Sequence, residues 1–331
     1  MDDAKAIQAI ERMVDELKGK GKASTNGHYE YPNPPVNLLE LRDMDFNYDW
    51  LVDRFWPMGA HIHIFASPKT GKSLLMLWIA CSIAKGIDPF TGKPTVRQIV
   101  TYIDNEMTLK DLRDRLMDMG WDFDELEGWL KYHPFPIIRP MDTELGGLDA
   151  MQLMQYDGSK VLIIDTLSRV VQGEENSNDT YRNFFNHTGR VLKANGISVA
   201  RLDHAGHDVK KSRGASAKAD DVDLVYALER RNDDKGKPGF RLTRTHSRIG
   251  FASELVDLEL VDDPFSIRSS DGRMWTLQAI NKAKELDALG APSAITFRDA
   301  TILLKAHGMG PGKTVYLTEA IRMRLDRDSK I

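Results

Sequence analysis

Downstream of Trp56 the chain alternates short, largely apolar runs with longer stretches whose apolar residues recur every three or four positions. The runs over 61–66, 98–104, 161–165 and 197–202 read as buried strands, and the stretches near 72–85, 108–119, 147–155 and 179–195 as helices. Strand and helix in alternation imply crossover units and a mainly parallel sheet covered by helices. After residue 220 the texture changes: 222–230, 239–246, 253–262 and 273–280 read as successive strands joined by turns, an antiparallel extension of that sheet. From Ser293 onward the chain reads as helical around a glycine-rich break at Gly308 to Gly312. At the other end, Ile7, Ile10, Met13, Val14 and Leu17 give an amphipathic helix over 4–17, and the Gly- and Pro-rich stretch 19–35 reads as its flexible tether. The expected organisation is an N-terminal helix and linker over 1–37, an α/β three-layer core over 38–285 and a helical C-terminal segment over 286–331.

Composition narrows the field. With 331 residues, 41% hydrophobic and 28% charged, the chain is an ordinary globular protein. No apolar stretch reaches the ~20 residues of a membrane span, and the charged N-terminus does not resemble a signal peptide. A single cysteine, Cys81, supports no internal disulfide and no thiolate metal site, so a cytoplasmic location is expected. The net charge of −4 excludes a basic nucleic-acid coat and leaves only local patches for a polyanion. No His/Cys metal constellation and no Ser/His/Asp array stands out.

The strongest chemical signal is HIHIFASPKTGKSLLMLWIA. A strand ends at Ala66, a tight loop of Ser67, Pro68, Lys69, Thr70 and Gly71 follows, and Lys72, Ser73 and Leu74 open an apolar helix. That arrangement suits nucleotide phosphates on backbone N–H groups and a helix N-terminus, with Lys72 reaching the β and γ oxygens and Ser73 ligating Mg²⁺. Ala66 stands where the stricter motif has glycine, and a small residue is all that position requires. A second GKT, Gly312-Lys313-Thr314, follows a helical segment and reads as a turn between helices. Asp165 closes the run Val161-Leu162-Ile163-Ile164 at a strand's C-terminal end, the place for a carboxylate that organises the metal. Glu106, just past another buried strand, is the candidate general base, with Asp104 the alternative in the same motif.

In order along the chain come the phosphate loop, Glu106 with LRDRL, LIIDTLSR, Arg201-Leu202-Asp203-His204-Ala205, SRGASAKADDVDLVYAL, and Arg244 to Arg248. Over about residues 45–260 this order resembles the RecA-like ATPases, and within them the RepA-type hexameric replicative helicases of plasmids and phages. The resemblance implies a RecA-like three-layer P-loop core and an ATP-hydrolysing ring that moves on single-stranded DNA, with other replication proteins as further partners. It implies that Glu106 activates water and that His204 senses the γ-phosphate. It also implies that 208–221 faces the channel and DNA, and that an arginine serves the neighbouring subunit's nucleotide. Arg248 matches that arginine, with Arg244 the alternative because His246 stands where a related pattern has lysine. The residues agree with the DNA role: Lys210, Lys211, Arg213 and Lys218 surround the small residues 214–217, a composition that tracks a phosphate backbone without reading bases. A recombination mediator forming filaments, and a nucleotide-switched adaptor docking partners through the N-terminal helix, are the other readings.

Overall fold

The computed structural model describes residues 35–44, 49–205, 217–270 and 272–328. The helix expected over 4–17, almost all of its tether, and Lys210, Lys211 and Arg213 lie outside them. The chain divides into two units, Met1–Asn47 and Tyr48–Ile331. In the first, α1 (Leu38–Asp43) starts at Asn37, whose side chain accepts hydrogen bonds from the backbone N–H groups of Leu39 and Glu40.

The second unit opens with a small antiparallel ribbon, β1 (Trp50–Val52) with β2 (Trp56–Pro57). Then follow β3 (His61–Ala66), α2 (Lys72–Lys85), β4 (Val100–Asp104), α3 (Leu109–Asp118), α4 (Phe123–Leu126), β5 (Leu130–Pro134), α5 (Glu144–Asp157) and β6 (Val161–Asp165). Next, α6 (Asn178–Phe184) runs through a π-helical turn into α7 (Arg190–Ala194) and leads to β7 (Ser198–His204), α8 (Ala217–Asp220) and β8 (Leu224–Asn232). The chain closes with β9 (Pro238–Ser247), β10 (Leu255–Asp262), β11 (Phe265–Ser269), α9 (Leu277–Ala288), α10 (Phe297–Ala306) and α11 (Thr314–Asp328).

Nine strands form one sheet in the order β11-β10-β9-β8-β3-β7-β6-β4-β5. From β8 to β5 all neighbours are parallel, and β9, β10 and β11 extend the β8 side antiparallel. This is the expected α/β RecA-like arrangement with its antiparallel extension. The parallel strands are apolar on both faces because both are covered. Alternate residues enter opposite cores: Ile62, Ile64, Tyr102 and Ile163 pack on the α2 side, while Ile103, Leu162, Ile164 and Val199 pack against Ala150, Met154, Phe184 and Leu192 of α5 to α7. Buried on most of its circumference, α2 carries Cys81 fully inside, where burial pushes the thiol pKa up. No described helix is long and apolar enough to cross a membrane.

The elements differ from the expected set at two places. Residues 273–280 are not a strand: Trp275 makes one isolated bridge to Asn232, and α9 begins at Leu277 behind the N-cap Thr276. Ala279, Ile280, Ala283 and Leu286 are its buried residues, a helical spacing, and the last strand is β11 instead. The half-buried edge strand β5, whose run LKYHP lacks an apolar signature, has no counterpart in the sequence reading. Gly308 and Gly312 adopt positive φ between α10 and α11, so the second GKT lies in a turn preceded by a helix, as expected.

Candidate nucleotide site

Parallel register carries the strand-ending polar residues to one edge. Ala66 pairs with His204 across β3 and β7, and Asp104 pairs with Asp165 across β4 and β6. At that edge the loop after β3 turns through Lys69 (φ 62°) and Gly71 (φ 108°). Gly71 is required twice over: its φ disfavours a side chain, and an added Cβ would lie 2.9 Å from the Phe240 ring. The Thr70 hydroxyl donates to Ser67 O at 2.7 Å and tightens the loop. Gly71 is also the N-cap of α2 and supplies no side-chain acceptor. The positive end of the helix therefore opens onto the loop, the geometry that binds an anion.

Lys72 is buried at the first position of α2, its Nζ 3.5 Å from Ala66 O and 3.4 Å from His204 Nδ1. Burial lowers its pKa, opposed by the negative charges of Asp165, Glu106 and Asp203. Among the described residues, the cation is thus held near carboxylates with only long contacts.

Asp165 is completely buried, and burial pushes its pKa up to about 6, with the Asp104 and Glu106 charges acting in the same direction. The Ser73 and Tyr102 hydroxyls favour the ionised form, Tyr102 donating to Oδ2 at 2.9 Å. Among the described residues, Asp165 Oδ1 has no hydrogen-bond partner. An unsatisfied buried carboxylate oxygen is costly and marks a place for a ligand. Beside a serine hydroxyl it offers the hard oxygen donors that suit Mg²⁺.

The structure separates the two carboxylates after β4. Asp104 is fully buried and spends its oxygens on local structure: Oδ1 accepts from the backbone N–H of Glu106 (2.6 Å) and Met107 (3.0 Å), and Oδ2 from the Tyr132 hydroxyl. Glu106 is exposed, and its Oε1 accepts one long bond, 3.4 Å, from the Thr166 hydroxyl. Geometry leaves Glu106 free to meet a water and Asp104 occupied in shaping the turn that presents it.

The remaining site residues divide. His204 is half-buried at the end of β7, beside Lys72. Arg248, exposed just past β9, donates to Asp220 O, whereas Arg244 is tied to Ala252 O and pairs with Glu254 at 3.6 Å. Lys218 departs from the reading as a nucleic-acid contact: its side chain is fully buried on α8, ion-paired with Asp203 and 4.5 Å above the Tyr181 ring. A buried carboxylate captures the charge that sequence alone placed on a solvent-facing loop. Tyr102, Tyr132 and Thr166, all bonded to site carboxylates, escaped the sequence reading because their partners are defined only by strand pairing.

A KaiC-like protein from Pyrococcus horikoshii OT3 is similar to this chain, with a TM-score of 0.48 and 17% identity over 65% of this chain and 91% of that one. No curated protein matches in sequence. Residues 40–210, more than half of the chain, match the family model described as the AAA domain. With the phosphate loop, the strand-ending aspartate and the mainly parallel sheet in place, the chain belongs to the AAA domain family and is a P-loop ATPase.

Proposed function

We propose that this chain is an ATP-hydrolysing motor that assembles as a hexameric ring and acts on single-stranded DNA as a replicative helicase. The observation that carries ATP hydrolysis is the contrast at the sheet edge: Asp165 Oδ1 unpartnered beside Ser73 and the open start of α2, with Glu106 exposed across from them. In this reading the loop 66–71 and the α2 N-terminus hold the phosphates, Lys72 binds the β and γ oxygens, Ser73 and Asp165 hold Mg²⁺, and Glu106 orients and deprotonates the attacking water. Mg²⁺, when bound with ATP, neutralises charge on the β and γ oxygens. His204, next to Lys72, reports the state of the γ-phosphate to β7. The motif order supports the helicase assignment, and Lys210, Lys211 and Arg213 are the proposed DNA contacts.

Both arginines bond within their own chain, and Arg248 is the proposed trans arginine because it is exposed just past β9 while Arg244 is half-buried between Ala252 O and Glu254. Arg248→Ala should bind ATP and hydrolyse it poorly. Mixing it with Lys72→Ala should restore part of the activity, since one interface then combines an intact Lys72 with an intact Arg248. No recovery at any ratio would remove Arg248 from this role, and full activity of Arg248→Ala alone would move it to Arg244. The function itself is tested by ATPase rate with and without single-stranded DNA, with particle mass measured in parallel. DNA-stimulated turnover in a particle of six 37.4 kDa chains supports the reading. A particle that grows with DNA length points to a filament, and ATP binding without turnover points to a switch.

A further inference from the structure

Beneath the two strand-ending carboxylates lie two tyrosines that neither the motif nor the family assignment uses. Tyr102 of β4 and Tyr132 of β5 are register partners on neighbouring parallel strands, and their rings stack with centroids 5.1 Å apart and planes 20° apart. Tyr102 is fully buried and donates to Asp165 Oδ2, and Tyr132 donates to Asp104 Oδ2. Each tyrosine therefore engages one oxygen of one carboxylate. For Asp165 the other oxygen is left without a hydrogen-bond partner among the described residues. For Asp104 the other oxygen holds the backbone N–H groups of Glu106 and Met107.

We propose that the stacked pair Tyr102–Tyr132 is a positioning element in which Tyr102 aims Asp165 Oδ1 at the divalent cation and Tyr132, through Asp104, sets the backbone that presents Glu106. The proposal rests on the nucleotide-site reading above and extends it to two residues that touch neither substrate nor metal. Three observations support it. The two hydroxyls have separate targets, so the pair divides into a metal arm and a water arm. A carboxylate that accepts one fixed bond loses rotational freedom, and groups that orient a metal ligand commonly alter metal affinity or activity by about 10- to 100-fold when removed. Finally, Tyr102, Asp104 and Asp165 belong to adjacent strands in register, so ring stacking fixes both arms relative to one frame.

The test separates the arms. Tyr102→Phe and Tyr132→Phe each keep the ring stack and lose one hydroxyl, and circular dichroism checks the fold. With Mn²⁺ as the metal probe, read by electron paramagnetic resonance in the presence of ADP, Tyr102→Phe should weaken metal binding about tenfold. Binding of a fluorescent ADP analogue in EDTA should be unchanged. Tyr132→Phe should leave Mn²⁺ affinity unchanged and lower kcat about tenfold at constant KM. Incorporating p-aminophenylalanine at position 102, which restores an N–H donor on the same ring, should bring Mn²⁺ affinity back towards wild type. Wild-type Mn²⁺ affinity in Tyr102→Phe overturns the metal arm, and equal loss of ADP analogue binding in EDTA by both variants reduces the pair to a structural role. If the wild-type chain binds no Mn²⁺ with ADP, the nucleotide-site reading falls first and this inference with it.

Discussion

In the antiparallel part of the sheet, Arg241 of β9 grips Asp257 of β10 through two bonds, 2.6 and 2.8 Å, and also donates to Met274 O. Nearby, Glu319 of α11 accepts from Arg231 at 2.7 Å and from Thr276 at 2.6 Å, and Arg324 pairs with Asp287 at 2.7 Å. These pairs join the strands to α9 and α11 and place charge against charge. In the parallel part, Asp104 and the Asp203–Lys218 pair are satisfied, but three charges beside the phosphate loop are left incomplete among the described residues: Lys72 has only long contacts, Asp165 one orphan oxygen, and Glu106 a single 3.4 Å bond. The two regions use the same residue types. A charge that the fold satisfies contributes to structure, and a charge that the fold buries without a partner is held for a ligand.

Removing a cation from the incomplete side should have the largest effect. Lys72→Ala should lose nucleotide binding and lower turnover by about a thousandfold, measured by calorimetry and phosphate release, while the thermal midpoint without ligand changes little. On the satisfied side the pattern should invert. Asp257→Asn leaves Arg241 buried without its carboxylate and should cost about 3 kcal/mol of stability, read from denaturant midpoints, with nucleotide affinity of the folded protein unaltered.

A smaller effect tests the claim that the parallel edge is strained by its own charge. Because burial raises the Asp165 pKa from its usual 3.8 to about 6, the folded protein holds a proton there that the unfolded chain releases. Stability from this group is therefore present at low pH and lost as pH rises through that window. Asp165→Asn should raise the ligand-free melting temperature at pH 7 by a few degrees, much less at pH 4, and abolish the stabilisation by Mg²⁺ with nucleotide. In wild type, Mg²⁺ affinity should increase from pH 5 to 7. A melting temperature lowered by Asp165→Asn at pH 7 would show that the charge is already satisfied.

The contrast also explains how much could be read in advance. The phosphate loop was legible because its chemistry is local: small residues, a strand before and an apolar helix after. Strand-ending Asp165 was legible for the same reason. The Tyr102 bond to Asp165 was not, since it joins residues 63 positions apart and depends on β4 lying beside β6. Sequence alone places Lys218 on a solvent-facing loop because Asp203, which buries it, sits on a different element, 15 residues earlier. Trp275-Thr276-Leu277 alternates like a strand, yet Thr276 is a helix cap accepting from Ala279 N at 3.1 Å.

In the proposed mechanism Glu106, and not Asp104, handles the water at an ATP site built on Lys72 and Asp165. The direct measurement is ATP binding and turnover in Glu106→Gln, made on the same preparation. Glu106→Gln should bind Mg·ATP with near wild-type affinity while its turnover falls by about two orders of magnitude or more. Wild-type turnover in Glu106→Gln, with hydrolysis lost instead in a folded Asp104→Asn that still binds ATP, would assign the water to Asp104.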